Sequence, residues 1–282
     1  MAITVTPSGQ ALGAAITGID LSREMDAKDV ADIHAAWMEH LVIYFPDQKI
    51  QDEDQIRFAA HFGKVGAYHR PLDRQHPKHA SNTVMLIGNL KEDGQAIGAH
   101  PDGEMMFHTD TAYHQSPHKA TTLYATHIPS VGGNTVFSNQ YKVYEALPGE
   151  MKRKLQGLTA MNVYEFGTTV KDFDRYDRDK VPHYAHPVFR RHPETGRPAM
   201  YVAPLMTEEI IGLDEAESRH ILARIFALQA ERRFLYEHVW KVGHLVMWDN
   251  RCTTHARTDF DPAEERLLRR VTIGDEAAVM AA

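Results

Sequence analysis

The sequence predicts a mainly β protein with flanking helices, arranged as a sandwich or jelly roll. Three observations lead there. Short strand-like runs recur along the whole chain, turn residues separate them, and only four stretches hold helical periodicity. No repeat, low-complexity tract or Gly/Ser linker divides the 282 residues, so 1–282 is read as a single domain.

The first helix is predicted over 26–41, where Val30, Ile33, Trp37 and Leu41 fall at helical spacing. Leu41-Val-Ile-Tyr-Phe then reads as a buried strand stopped by Pro46, and a second helix covers 51–61 with Gly63 near its end. Strands follow at Val84–Ile87, Met105–Thr111, Thr121–His127 and Thr135–Ser138, and helical pattern returns around 140–156. The second half repeats the mixture. Strands are expected at 157–165, 185–190 and 199–203, then a helix at 214–230 carrying Ile221, Ile225 and Leu228. Leu235–Trp240, Leu245–Trp248 and Leu267–Ile273 close the series. The highly charged stretch 166–184 has no clean period and is expected to be an exposed loop or an active-site lid.

Composition narrows the function classes. A net charge of −7 gives no basic footprint for nucleic acid. The single cysteine, Cys252, excludes an intrachain disulfide and fits a reducing compartment. The start, Met-Ala-Ile-Thr-Val-Thr, lacks the pattern of a signal peptide, and no apolar run approaches membrane-spanning length. The expectation is a soluble, cytoplasmic protein with neither nucleic-acid nor membrane partners.

Chemistry concentrates in a few places. In Phe107-His108-Thr109-Asp110, residues i and i+2 of a strand share a face, so His108 and Asp110 can offer an imidazole and a carboxylate to one metal. A third ligand is available downstream in Trp248-Asp-Asn-Arg-Cys-Thr-Thr-His255. Two histidines and one carboxylate leave three octahedral positions open, which suits iron(II) with a chelating oxo-acid and O₂. Spacing alone does not choose His255 over His238 or His244. Further on, Arg266 and Arg270 share one strand face and Arg269 the other; a guanidinium fork suits the distal carboxylate of 2-oxoglutarate. Gly132-Gly-Asn-Thr135 is on its own a turn opening a strand, and a threonine hydroxyl there could donate to that same carboxylate.

Taken in order, Phe-His108-Thr-Asp110, Pro-Ser-Val-Gly-Gly-Asn-Thr135, Trp248-Asp-Asn-Arg-Cys-Thr-Thr-His255 and Arg266-x₃-Arg270 resemble the taurine dioxygenase / 2,4-dichlorophenoxyacetate dioxygenase family. The opening Ile-Thr-Val-Thr-Pro-Ser-Gly-Gln-Ala-Leu-Gly-Ala with Gly18-Ile-Asp-Leu is similar too, so the likeness spans residues 3 to 275. The resemblance implies a double-stranded β-helix with Fe(II) held by His108, Asp110 and His255, and 2-oxoglutarate bound by Thr135 and Arg266. It further implies that Arg270, assisted by His69, meets the anionic group of a small sulfonate or carboxylate substrate, and that the chain forms a homo-oligomer. The implied reaction consumes O₂ and 2-oxoglutarate, hydroxylates the substrate and releases succinate and CO₂. Asp110 argues against halogenation, which needs that ligand position vacated.

Two departures from the family pattern stand out: Phe107 where tryptophan is usual, and Glu104, a substrate contact or a solvated loop residue, just ahead of the ligands. Three other readings compete, one of them a decayed family member with a regulatory role, against which the presence of every expected ligand argues. A zinc hydrolase also uses two histidines and an aspartate but gives Thr135 and Arg266 no role. A non-catalytic jelly-roll binding protein would leave His108 and Asp110 as ordinary residues. His114, four residues beyond Asp110, would share the ligand face if the strand continued that far.

Overall fold

A computed structural model describes residues 3–66, 77–79, 81–99, 103–164, 177–275 and 277–282. Eleven strands build its two main sheets: β1 (Thr4–Pro7), β2 (Ala14–Thr17), β3 (Val42–Phe45), β4 (Met85–Gly88), β5 (Met105–His108), β6 (His118–His127), β7 (Thr135–Asn139), β8 (Leu235–His238), β9 (Leu245–Asp249), β10 (Thr253–Arg257) and β11 (Leu267–Gly274). The larger sheet runs β1-β2-β3-β9-β6-β11-β4 and the smaller β8-β7-β10-β5. All of these pairings are antiparallel except β2 with β3. Antiparallel strands from distant parts of the chain, stacked as two layers, make the expected jelly roll.

Strand alternation divides the core. Along β9, Leu245 and Met247 face one apolar cluster while Val246 and Trp248 face another. The first cluster lies under two helices, α1 (Ala27–His40) and α2 (Asp52–Ala60), which contribute Ile33, Trp37 and Phe58. The second fills the space between the sheets, where Phe137 and Tyr236 meet Leu123, Trp248 and Leu268. Each large apolar side chain so buried contributes about 1.5–3 kcal/mol. Helix α1 starts where the Asp26 carboxylate accepts from the Asp29 N–H, a cap contributing about 1 kcal/mol.

A third cluster joins α3 (Gln140–Ala146), α4 (Gly149–Leu155) and α5 (Glu215–Gln229) to two small sheets. In one of these, Thr159–Val163 lies between His183–Pro187 and Thr207–Ile210; in the other, Phe189–Arg191 lies between Pro198–Met200 and Met280–Ala281.

Several expectations need correction. The helical stretch 140–156 is two helices, because Leu147 and Pro148 turn extended between α3 and α4. The charged stretch 166–184 is not loop throughout: Arg178–Lys180 is a 3-10 turn and His183 begins a strand, while 166–176 lie outside the described residues. Strands β1, β2, β10 and Thr207–Ile210 carry too little apolar alternation to be read from sequence. Most consequentially, β5 ends at His108, so Asp110 sits in the following turn rather than on the strand.

Candidate active site

His108, Asp110 and His255 are buried, and one ligand atom from each lies within 4.8 Å of the others. Two separate devices bring them together. Strand register sets His255 of β10 directly opposite His108 of β5, with ring centroids 4.1 Å apart. Asp110 arrives through the turn after β5, where Thr111 takes a left-handed φ of 55° and its hydroxyl donates to the Asp110 carbonyl. Strand parity placed His108 and Asp110 together, and the fold brings them together by a different route. His114 lies further round that turn and does not belong to the cluster.

The electrostatics favour cation binding. Nδ1 of His108 faces the Met106 carbonyl at 2.9 Å, which makes it the protonated nitrogen and turns Nε2 inward as a donor pair. Burial lowers the pKa of His108, and it pushes His255 well below the ordinary histidine value with the neighbouring His108 adding to the effect. Both imidazoles are therefore neutral, the form that ligates metals. Burial alone would raise the Asp110 carboxyl. Instead the Arg270 guanidinium, 2.6 Å from Oδ1, holds it well below the usual carboxylate range. Oδ2 accepts a 2.5 Å hydrogen bond from Thr121 Oγ1. Two neutral imidazoles and one fixed carboxylate on one face fit a divalent iron with open positions.

Two residues along β10 from His255 comes Arg257, whose register partner on β7 is Thr135. The step is roughly 7 Å at strand rise. Here lies Arg266, 2% exposed, its Nε donating to the Gly133 carbonyl at 3.1 Å. No carboxylate pairs with it among the described residues, and its Nη1 is buried without a partner. Burial, reinforced by Arg257, lowers its pKa to about 9, so it still carries charge at neutral pH. A buried, uncompensated guanidinium is unfavourable unless an anion binds it. The glycine turn makes room for it. Gly132 has φ +77° and a Cβ there would lie 2.1 Å from the Asp259 carbonyl; Gly133 has φ +63° and a Cβ would meet Arg266 Nε at 3.0 Å. Thr135 Oγ1 accepts from Trp240 Nε1 at 3.0 Å.

Strand parity holds on β11. Arg269 points to the helices, bonding Asp52 at 2.6 Å and the Ile50 carbonyl at 2.5 Å, whereas Arg270 points inward to Asp110. Nε of Arg270 is buried without a partner among the described residues. Tyr113, close enough to Arg270 and Asp110 to feel both charges, packs 4.6 Å from Tyr164. His69 lies outside the described residues, and Glu104 is exposed.

Sequence reasoning missed Thr121, Trp240 and Arg257; a threonine pair on a strand and an arginine two places past a ligand were the available signals. A second grouping, His192, Asp249 and Cys252, is filled from within. The Arg251 guanidinium bonds both Asp249 oxygens, at 2.8 and 2.6 Å, where a cation would sit.

Comparison with known proteins sets this geometry in context. The sequence model of the family described as taurine catabolism dioxygenase TauD, TfdA family, matches residues 4–272. Pentalenolactone F synthase from Streptomyces avermitilis is 36% identical, the alignment covering 99% of this chain and 96% of the relative. The alpha-ketoglutarate-dependent 2,4-dichlorophenoxyacetate dioxygenase of Cupriavidus pinatubonensis is 29% identical over 99% of this chain and 100% of its own length. Among solved structures, a taurine dioxygenase from Burkholderia xenovorans superposes with a TM-score of 0.81 at 27% identity, covering 100% of this chain and 96% of the other.

Proposed function

The chain belongs to the TauD/TfdA family of Fe(II)- and 2-oxoglutarate-dependent dioxygenases, and from that premise we propose that it hydroxylates a small organic anion, a sulfonate or carboxylate, at the His108–Asp110–His255 centre. The observation that carries the reading is Arg266, a buried guanidinium with no internal counter-ion, one strand step from the clustered ligands. Family membership leaves the zinc-hydrolase and non-catalytic readings without support.

Bound at this centre, iron(II) and 2-oxoglutarate supply the oxidising chemistry that couples O₂ to succinate, CO₂ and a hydroxylated product. The chain supplies position. His108, Asp110 and His255 would hold the metal through two imidazoles and one carboxylate. Arg266 and the Thr135 hydroxyl would receive the distal carboxylate of the co-substrate. Because Trp240 N–H already donates to Thr135 Oγ1, the hydroxyl proton is directed elsewhere, toward that carboxylate.

Arg270 is the substrate's anion anchor in this reading, placed against the metal-ligand carboxylate so that the bound substrate lies beside the metal. The Tyr113–Tyr164 pair offers flat apolar surface to the body of the substrate. A 2,4-dichlorophenoxyacetate dioxygenase and a taurine dioxygenase act on a carboxylate and a sulfonate respectively, and both groups suit a guanidinium fork.

The test is anaerobic. Metal-free protein given iron(II) and 2-oxoglutarate should develop the weak visible charge-transfer band of the chelate, lost in His108→Ala and weakened in Arg266→Ala. Aryloxyacetates and alkylsulfonates should perturb the band in the wild type but not in Arg270→Leu. No band with iron demonstrably bound would refute the cofactor assignment; equal perturbation in Arg270→Leu would refute the anchor.

A further inference from the structure

The Trp248-Asp-Asn250 segment was singled out in the sequence only as the approach to His255. In the fold it does something separate. Trp248 Nε1 donates to Asn250 Oδ1 at 2.9 Å, Asn250 Nδ2 donates to Thr121 Oγ1 at 3.0 Å, and Thr121 Oγ1 donates to Asp110 Oδ2 at 2.5 Å. Trp248, Asn250 and Thr121 are 1%, 0% and 0% exposed, so water does not compete for these bonds. Asn250 is pinned independently, its backbone N–H bonding the Lys119 carbonyl at 3.0 Å.

Chemistry fixes the polarity of every link. An indole N–H can only donate and an ionised carboxylate can only accept. The amide must therefore turn its oxygen to the indole and its NH₂ to the hydroxyl. The hydroxyl, already accepting, has its one proton left for Asp110. No rotor or amide flip in the chain has a second low-energy setting. The Trp248 ring also packs on the His255 imidazole, with centroids 4.7 Å apart, so one indole contacts His255 directly and reaches Asp110 through the hydrogen-bond chain.

We infer that Thr121 and Asn250 are positioning residues that set the plane of the Asp110 carboxylate for metal binding, with Trp248 as the fixed origin of the hydrogen-bond chain. The inference rests on the assignment of Asp110 as a ligand. Asp110 needs such support because it stands in a turn rather than on a strand, where no sheet register holds its side chain.

Mn(II) alone, titrated into metal-free protein and followed by the electron paramagnetic resonance signal of the free ion, gives the readout. Thr121→Val, nearly isosteric, should bind Mn(II) 10- to 100-fold more weakly, the range for groups that orient metal ligands. Thr121→Ser keeps the donor and should return to within about threefold of wild type. Asn250→Leu should weaken binding, and the double variant Thr121→Val/Asn250→Leu should be no worse than Thr121→Val, since a broken chain cannot be broken twice. Asp110→Asn serves as the reference. Unchanged affinity in Asp110→Asn would overturn the ligand assignment itself and this inference with it. Loss in Asp110→Asn beside wild-type affinity in Thr121→Val would overturn the positioning role alone. Thr121→Ser behaving like Thr121→Val would do the same, because then packing of the methyl group, not the donor, is what matters.

Discussion

Replacing Arg266 by methionine should move ligand affinity and stability in opposite directions. Its guanidinium is 2% exposed, has no carboxylate partner among the described residues and keeps one nitrogen unbonded. The fall of its pKa from the ordinary arginine value to about 9, from burial first and Arg257 second, corresponds to a combined penalty on the order of 4–5 kcal/mol, at about 1.36 kcal/mol per tenfold change in proton affinity. Methionine removes that penalty and forfeits the bond to the Gly133 carbonyl, about 0.5–1.5 kcal/mol, along with some packing. Ligand-free protein should therefore gain about 1–3 kcal/mol, raising Tm by roughly 2–10 °C. Affinity for 2-oxoglutarate should fall roughly 10- to 150-fold, the equivalent of one charge-assisted hydrogen bond at about 1.5–3 kcal/mol. Scanning calorimetry of metal-free protein and calorimetric titration of 2-oxoglutarate into the Mn(II) form measure the two quantities. A lower Tm with unchanged affinity would show that Arg266 is a structural residue.

Other consequences are as direct. His255→Ala should lose most of the bound iron while His114→Ala retains it, read by metal analysis after anaerobic loading; equal content would overturn the ligand assignment. Trp240→Phe should weaken 2-oxoglutarate severalfold yet leave 2-oxobutanoate, which lacks the distal carboxylate, unaffected, and it should have no further effect on top of Thr135→Val. Burial holds His186 down to about 4 and, with His244, His238 down to about 3, whereas both protonate near 6.5 once unfolded. The unfolded state therefore binds the extra protons: stability is full above about pH 6.5 and falls by roughly 2 kcal/mol per histidine by pH 5. Urea unfolding at the two pH values measures this, and His186→Gln should flatten the dependence; an unchanged slope would remove His186 from the account.

Much of the fold was legible because several strands of its main sheets are short apolar runs bounded by turn residues. Leu245–Asp249 and Leu267–Gly274 read as strands, and the parity argument that separates Arg269 from Arg270 holds in three dimensions, with Asp52 on one face and Asp110 on the other. The failures have physical causes. Thr4–Pro7 is exposed along its whole length and carries no apolar signal. Thr253–Arg257 is buried but polar, because its side chains serve the site rather than the core. A pattern built on water-averse residues cannot see a strand whose buried face is histidine, threonine and arginine.

The site itself divides along a similar line. His108, Asp110, His255 and Arg266 stand out in the sequence because an ordinary sandwich core has no use for them, and the structure leaves two of the four with unmet demand. Arg266 and His255 each keep a buried nitrogen unbonded, and Arg257 raises the charge against Arg266. Such unmet demand is where ligands bind, since the missing partner supplies what the fold withholds. Thr121, Asn250 and Trp248 are the converse. Each is satisfied, each suits its place, and nothing about a threonine on a strand or an asparagine in a turn asks for explanation. Residues that act on the chemistry only by holding another in place leave no strain to betray them. They become visible when the donors and acceptors are followed atom by atom to the carboxylate at the end of the chain.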